Sequence, residues 1–134
     1  MPEIQPYLFF DGNCAEAMRH YERVLGGKLE LMTHADAPAG QSPPGNEDRV
    51  LHARLVSGNG VLMASDDMAG APYHGMKHFF VSLGYTSAEE GRTIFDALAE
   101  GGEVILPYAR TFWAAGFGML KDKFGTPWMV SGQE

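Results

Sequence analysis

The sequence predicts an α+β protein made of two βαβββ modules, each a curved mixed sheet with one helix on its outer face. Two observations lead to this prediction. Two amphipathic helical segments of similar pattern each lie between β-like segments, and their cap, apolar stripe and glycine stop recur in the same order. The 134 residues suit one domain, with modules at about 1–68 and 78–134 and a linker at about 69–77.

The first predicted helix follows an apolar strand at residues 4–10. Asn13, with Glu16 three residues later, forms a capping-box pattern at its start. The apolar residues recur at helical spacing and form one amphipathic stripe: Cys14, Ala17, Met18, Tyr21, Val24 and Leu25. Gly26 and Gly27 end the helix.

Three further strands complete the first module. They are predicted at residues 29–34, 50–57 and 60–66, the last two joined by a hairpin turn at Gly58-Asn59. The segment 35–49 is rich in proline and glycine, which predicts a flexible loop that is a candidate lid. His34, at a strand end beside this loop, is expected to be exposed.

The second half repeats the pattern. Ser87 and Glu90 mark the start of a helix that Gly101 and Gly102 end, with the stripe Ala88, Gly91, Ile94, Phe95, Leu98 and Ala99. Strands are predicted at residues 78–85, 104–110, 112–121 and 127–131.

The two halves align along their length. A shift of 74 positions takes Asn13 to Ser87, and after a one-residue insertion Gly27 meets Gly102. Two copies are too few for a solenoid, so an internal pseudo-dimer is the better interpretation; the alternative is that any two capped helices look alike. In a pseudo-dimer the concave faces of the sheets would enclose a cavity, and such cavities suit small ligands.

Composition excludes several classes of function. The net charge of −7 disfavours nucleic acid and anionic membranes as partners, because both require clustered basic residues. The single cysteine, Cys14, excludes an intramolecular disulfide, and its place on the helical stripe predicts a small buried hydrophobe. Without a signal-peptide pattern or an apolar run of about 20 residues, the protein is expected in the cytoplasm.

Several segments together carry a family resemblance. They are residues 6–13, Tyr21 with 24–26, His52-Ala53, 63–66, 111–118 and 122–129, which reads DKFGTPWM. This set resembles the PhnB-like branch of the vicinal-oxygen-chelate superfamily, which includes glyoxalase, bleomycin-resistance proteins, fosfomycin-resistance enzymes and extradiol dioxygenases. The resemblance implies the paired βαβββ fold and a homodimer. Some members of this branch carry a demethylubiquinone-methyltransferase label, but this sequence has no motif for a methyl-donor cofactor.

In the superfamily's metalloenzymes, a divalent cation held by four strands polarises vicinal oxygens of the substrate. The resemblance places Pro6 and Val130 at two of these ligand positions, and neither side chain binds metal. The remaining two positions fall near Ser65 or Asp66 and between His78 and Ser82. No cofactor is therefore expected. The alternative is a divalent metal held by a displaced set: His52, Asp66 and His78.

A candidate ligand site lies on the third and fourth strands. By strand alternation His52 and Arg54 share one face, while Leu51, Ala53 and Leu55 should face the helix. With Met63 and Ser65 from the neighbouring strand, this face could hold a carboxylate or phosphonate-like ligand. A structural role for His52 and a solvated role for Arg54 are the alternatives.

Aromatic residues mark a second candidate surface. On the predicted strand 112–121, one face carries Trp113, Phe117 and Met119, and the other carries Ala114, Gly116 and Gly118. The glycines would permit close approach of another element, and the aromatic wall suits flat apolar ligands. Packing in the core or in a dimer is the alternative, and Trp128 is expected in the core.

The primary hypothesis is a metal-independent small-molecule-binding protein whose ligand contacts are His52, Arg54, Met63, Ser65, Trp113 and Phe117. The alternative is a divalent-metal-dependent lyase, isomerase or dioxygenase. A purely structural or interaction role as a dimer is a third hypothesis, which no sequence feature supports. Whether the protein is an enzyme stays open.

Overall fold

The computed structural model describes residues 1–134, which divide into two compact units, Met1–His74 and Gly75–Glu134. Each unit contains one four-stranded mixed sheet and one long helix in the order βαβββ. This confirms the predicted α+β class with two modules. None of the helices is long and apolar enough to span a membrane.

In the first unit, the first two strands of the module form the two edges of its sheet. Its elements are β1 (Tyr7–Phe10), α1 (Cys14–Leu25), β2 (Lys28–Thr33), β3 (Val50–Ser57) and β4 (Gly60–Asp66), with a 3-10 turn at His34–Asp36. The strand order is β1-β4-β3-β2. β1 pairs in parallel with β4, and the other pairs are antiparallel.

The second unit repeats this topology. Its elements are β5 (Val81–Tyr85), α2 (Ala88–Ala99), β6 (Glu103–Ala109), β7 (Gly116–Lys121) and β8 (Pro127–Gly132). The strand order is β5-β8-β7-β6, with β5 parallel to β8 and the remaining pairs antiparallel.

Each helix buries its apolar stripe on one face of its own sheet. In α1 the buried residues are Cys14, Ala17, Met18 and Tyr21, and in α2 they are Gly91, Phe95 and Leu98. The facing strand residues alternate with exposed ones, as in β1, where Leu8 and Phe10 are buried while Tyr7 and Phe9 are exposed. The sheet face away from each helix is therefore open.

Glycines at equivalent positions of the two modules allow the segment after each helix to pack closely against a strand of the same module. A Cβ on Gly27 would collide with the carbonyl oxygen of Val56, and a Cβ on Gly102 would collide with that of Lys121. Gly27 also has φ +101°, a left-handed conformation that favours glycine. The two positions that the sequence alignment pairs thus perform the same steric role.

Gly116 and Gly118 lie on the α2 side of β7, as predicted. A Cβ on Gly118 would lie 2.7 Å from Cε2 of Phe95 and 2.9 Å from Cα of Tyr108. The Tyr108 hydroxyl then donates a hydrogen bond of 2.7 Å to the carbonyl oxygen of Ala88. The glycine face of β7 therefore lets α2 approach the sheet closely.

Three predicted strands begin later than expected, and the first of them starts at Tyr7 instead of at residue 4. Thr111 closes a turn, because its Oγ1 accepts the backbone amide of Ala114 at 3.1 Å and its own amide donates to the Ala114 carbonyl at 3.0 Å. The strand predicted at 112–121 therefore starts at Gly116, and Trp113 lies in the turn. His78 has φ +65°, which is incompatible with a strand, so β5 starts at Val81.

The prediction that His34 is exposed is wrong. His34 is 6% exposed, and its Nδ1 lies 2.6 Å from Oγ of Ser42 in the loop that follows. Asn46 is also buried, and its Oδ1 accepts the Ala69 amide at 2.7 Å. Polar side chains thus tie the loop at 35–49 to the unit through Ser42 and Asn46.

Candidate functional site

The face of the first sheet that points away from α1 combines polar and apolar side chains from all four strands. We call this surface the first open face, defined by Tyr7, Phe9, Glu30, Met32, His52, Arg54, Met63 and Ser65. Register places Met63 opposite both Tyr7 and Arg54, and Ser65 opposite Phe9. The structure therefore places His52, Arg54, Met63 and Ser65, the four candidate ligand residues of this unit, on one face of the sheet, where Ser65 is only 5% exposed.

Tyr7 and His52 form a hydrogen-bonded pair across this face. The Tyr7 hydroxyl lies 3.1 Å from Nδ1 of His52, and the two ring centroids are 5.8 Å apart. The Tyr7 ring also packs at 5.3 Å against Phe9. Sequence analysis missed both aromatic residues as site candidates. Alternation within the first strand was the available signal, because it puts Tyr7 and Phe9 opposite the buried Leu8 and Phe10.

Arg54 has a weak ionic partner. Its Nη1 lies 3.8 Å from Oε1 of Glu30, the residue directly opposite it on β2. The side chains are 43% and 68% exposed, so solvent screens this pair and it contributes little to stability. The Arg54 guanidinium is therefore available for another anion.

Leu51 does not face the helix, so that part of the face prediction is wrong. A register shift between Met32 and Thr33 sets Met32 opposite His52 but Thr33 opposite Val50. Val50 is consequently buried on the helix side, and Leu51 is 36% exposed. Ala53 and Leu55 are buried as predicted.

Asp66 performs a structural task instead of facing His52. Its Oδ1 accepts the backbone amides of Gly12 and Cys14 at 2.8 and 3.0 Å, and its Oδ2 accepts that of Val50 at 2.9 Å. The carboxylate therefore caps the start of α1, where a negative charge is favourable. The predicted capping box of Asn13 is wrong, since the Asn13 side chain makes no cap hydrogen bond.

The displaced metal set predicted as an alternative loses one of its ligands. Asp66 lies on the helix side of β4 and uses both of its oxygens on backbone amides. Within each unit no three His, Cys, Asp or Glu side chains come together. The residues present therefore do not fit a divalent-metal site of the kind that the resemblance implies.

Cys14 is not a nucleophile candidate. It is fully buried on α1, and burial, with a smaller contribution from the Asp66 charge, raises the pKa of its thiol to about 12. The thiol stays protonated at neutral pH and packs as a small hydrophobe, as the sequence predicts.

The second unit has an aromatic surface on the corresponding face. Phe117 lies on β7 facing away from α2, and the Trp113 ring packs against it with centroids 5.3 Å apart. Phe112 packs edge-on against Trp113 at 4.8 Å, and these two side chains are 98% and 54% exposed. A depression of about 530 Å³ opens beside them, lined by Arg110, Thr111, Phe112, Trp113, Ala114, Ala115, Gln133 and Glu134.

Residues 3–130 match the family model described as the Glyoxalase/Bleomycin resistance protein/Dioxygenase superfamily. The chain belongs to this superfamily. A curated relative, Protein YjdN of Escherichia coli (strain K12), is 36% identical over 140 residues and is matched over 96% of this chain and 93% of its own. The family resemblance predicted from the sequence is thereby confirmed.

Solved structures extend the comparison for this superfamily member. Protein PA1353 from Pseudomonas aeruginosa is 47% identical, with a TM-score of 0.92 and coverage of 99% of this chain and 98% of that one. The PhnB protein from Bacillus cereus is 24% identical, with a TM-score of 0.77 and coverage of 98% and 99%. The latter likeness shows the fold alone.

Proposed function

We propose that this superfamily member binds a small organic molecule and that the first open face supplies its polar contacts. The observation that carries this proposal is the Tyr7–His52 pair beside Arg54, set among the exposed side chains of Phe9 and Met32. A few hydrogen-bonding groups within an apolar surface are typical of ligand sites, because the apolar part supplies affinity and the polar part fixes orientation.

The aromatic surface of the second unit is proposed as a separate contact surface. The Trp113 and Phe117 rings pack edge to face with centroids 5.3 Å apart, and Thr111 accepts a hydrogen bond from the Trp113 backbone amide. Rigid aromatic side chains bind flat apolar groups at a low cost in conformational entropy. We therefore assign this surface to contacts with an apolar ligand.

Binding is proposed to need no metal held by this chain. Asp66 would have to release three backbone amides in order to become a ligand, and each of these hydrogen bonds is buried or partly buried. Pro6 and Val130, at the positions that the family resemblance assigns to ligands, have no donor atoms in their side chains. The metal-dependent lyase, isomerase or dioxygenase hypothesis thus has no complete ligand set.

Thermal unfolding with a library of small organic compounds tests this proposal. A compound at 100 times its Kd should stabilise the fold by about 2.7 kcal/mol, with or without a chelator. We expect His52→Ala to reduce this stabilisation, and His74→Ala, a change at an exposed histidine of the same unit, to leave it intact. Equal stabilisation of the wild type and His52→Ala by every active compound would count against the first open face.

Metal analysis of protein purified without a histidine tag provides the complementary test. We expect less than stoichiometric divalent metal. A stoichiometric ion that is lost in His52→Gln would overturn metal-independent binding. An Asp66 variant is unsuitable here, because it removes the cap of α1 whether or not a metal binds.

We also propose a homodimer, as the family resemblance implies. On the edge strand β6, Val104, Ile105 and Leu106 are 47%, 44% and 39% exposed, and contiguous exposed apolar residues often mark protein contacts. Sedimentation velocity should give the mass of a dimer. A monomer mass at every accessible protein concentration would contradict this proposal.

A further inference from the structure

We propose that the first open face selects a carboxylic acid with an apolar body, bound through Arg54 and the Tyr7–His52 pair, and that Glu30 competes with this ligand for Arg54. This inference rests on the proposed small-molecule binding. The ligand is specified as an anion, and Glu30 is the residue that controls its access to Arg54.

The Tyr7–His52 pair keeps one hydrogen-bond donor for a ligand in either neutral tautomer. If the Tyr7 hydroxyl donates to Nδ1, then Nε2 of His52 carries the ring proton and can donate it. If Nδ1 donates to the Tyr7 oxygen, then the hydroxyl hydrogen of Tyr7 is free to point at the ligand. The pair can therefore serve as a donor to an anion in either tautomer.

Arg54 supplies the positive charge next to this donor. Arg54 and His52 are two residues apart on β3, so their side chains leave the same face about 7 Å apart. A guanidinium binds a carboxylate through two parallel hydrogen bonds, which is stronger and more directional than one long ionic contact. A ligand carboxylate could therefore bind Arg54 better than Glu30 does at 3.8 Å.

Glu30 is placed to act as a competitor. It lies on the edge strand β2 directly opposite Arg54 and is 68% exposed, so it can rotate into solvent at little cost. While it stays near Arg54, its negative charge opposes an incoming anion. Lys28, two residues away on β2, is the other charged group on this side of the strand.

The apolar surroundings define the rest of the ligand. Phe9 and Met32 are 48% and 47% exposed on the same face, and Met63 separates Tyr7 from Arg54. Small inorganic anions would leave this apolar surface in water. A carboxylate carried by a ring or an alkyl chain would cover it.

Benzoate and its neutral analogue benzamide test this inference, with binding followed by NMR chemical shifts of the wild-type chain. We expect benzoate to shift the signals of His52 and Arg54 saturably and to bind about tenfold more tightly than benzamide, since one charge-assisted hydrogen bond is worth roughly that factor. Arg54→Gln should abolish the preference. Glu30→Gln should tighten benzoate binding about threefold and leave benzamide unchanged, a factor typical of one screened surface charge.

Glu103→Gln is the matched control. Glu103 is an exposed acid at the start of β6, the corresponding edge strand of the other sheet, so its removal changes the net charge equally and leaves every residue of the first open face unchanged. If Glu30→Gln and Glu103→Gln have the same effect, Glu30 does not compete for Arg54. Equal binding of benzoate and benzamide at this face would overturn anion selectivity but leave the proposed small-molecule site intact. No shift from either compound on this face would overturn both.

Discussion

Replacement of Asp66 by asparagine should destabilise the first unit strongly. Asparagine keeps one acceptor oxygen and replaces the other with an amide nitrogen, which cannot accept a hydrogen bond. Either the Val50 amide or the pair at Gly12 and Cys14 then loses its acceptor. A hydrogen bond to a charged group contributes about 1.5–3 kcal/mol, so we expect Asp66→Asn to lower the free energy of unfolding by about 2–4 kcal/mol.

Urea unfolding followed by far-UV circular dichroism is the appropriate assay. Tryptophan fluorescence would report only on the second unit, since Trp113 and Trp128 both lie there. With a urea m-value of about 2 kcal/mol/M, the midpoint should fall by roughly 1–2 M. Asp67→Asn is the matched control, because the amides of Gly12, Cys14 and Val50 bind the Asp66 carboxylate and not the neighbouring one. A loss below about 0.5 kcal/mol for Asp66→Asn would refute its capping role.

Three further predictions follow from buried groups. Gly118→Ala should destabilise the protein by about 2 kcal/mol or more, because the new Cβ would collide with the Phe95 ring. Gly84→Ala is the control and should be nearly neutral, because its Cβ would have no neighbour closer than 3.9 Å. Chemical denaturation measures the free energy of unfolding of both variants. Burial raises the pKa of the Cys14 thiol to about 12 in the folded protein, so the thiol of the unfolded chain loses its proton at a lower pH. The free energy of unfolding should therefore fall by up to about 4 kcal/mol as pH rises from the ordinary thiol pKa towards 12. Cys14→Ala should flatten this alkaline decline, and an unchanged slope would show that the thiol is not its source. Nε1 of Trp128 donates a hydrogen bond of 2.8 Å to Oδ2 of Asp122. Asp122→Asn should therefore destabilise the second unit by about 2 kcal/mol and shift the fluorescence emission of Trp128. An unchanged emission spectrum would contradict this contact.

Local pattern was sufficient to predict the fold. The apolar stripes and glycine stops of both helices depend on neighbouring residues, and they appear in the structure as α1 and α2 ending before Gly26 and at Ala99. The paired glycines, Gly27 and Gly102, pack against equivalent strand carbonyls, which is why the repeat was visible in the sequence.

Pairing with residues distant in the sequence caused two of the errors. The cap of α1 comes from Asp66, which is 52 residues away from Cys14, and local spacing therefore favoured Asn13 instead. The register shift beside Thr33 moved Leu51 out of the buried set, and strand alternation alone does not reveal such a shift.

The candidate site was predicted only in part for the same reason. Alternation along β3 correctly placed His52 beside Arg54, because both residues lie on one strand. The Tyr7–His52 hydrogen bond joins residues 45 positions apart across an intervening strand, so only the paired sheet shows it.

We propose that ligands bind to the open faces of the sheets and not to the helix faces. A fragment screen read by backbone amide shifts of the whole chain distinguishes the two. We expect shifts to cluster on β3 and β4 around His52 and Met63 and on the surface around Trp113 and Phe117. Hits that cluster on the exposed sides of α1 or α2 and leave His52 and Trp113 unshifted would contradict it.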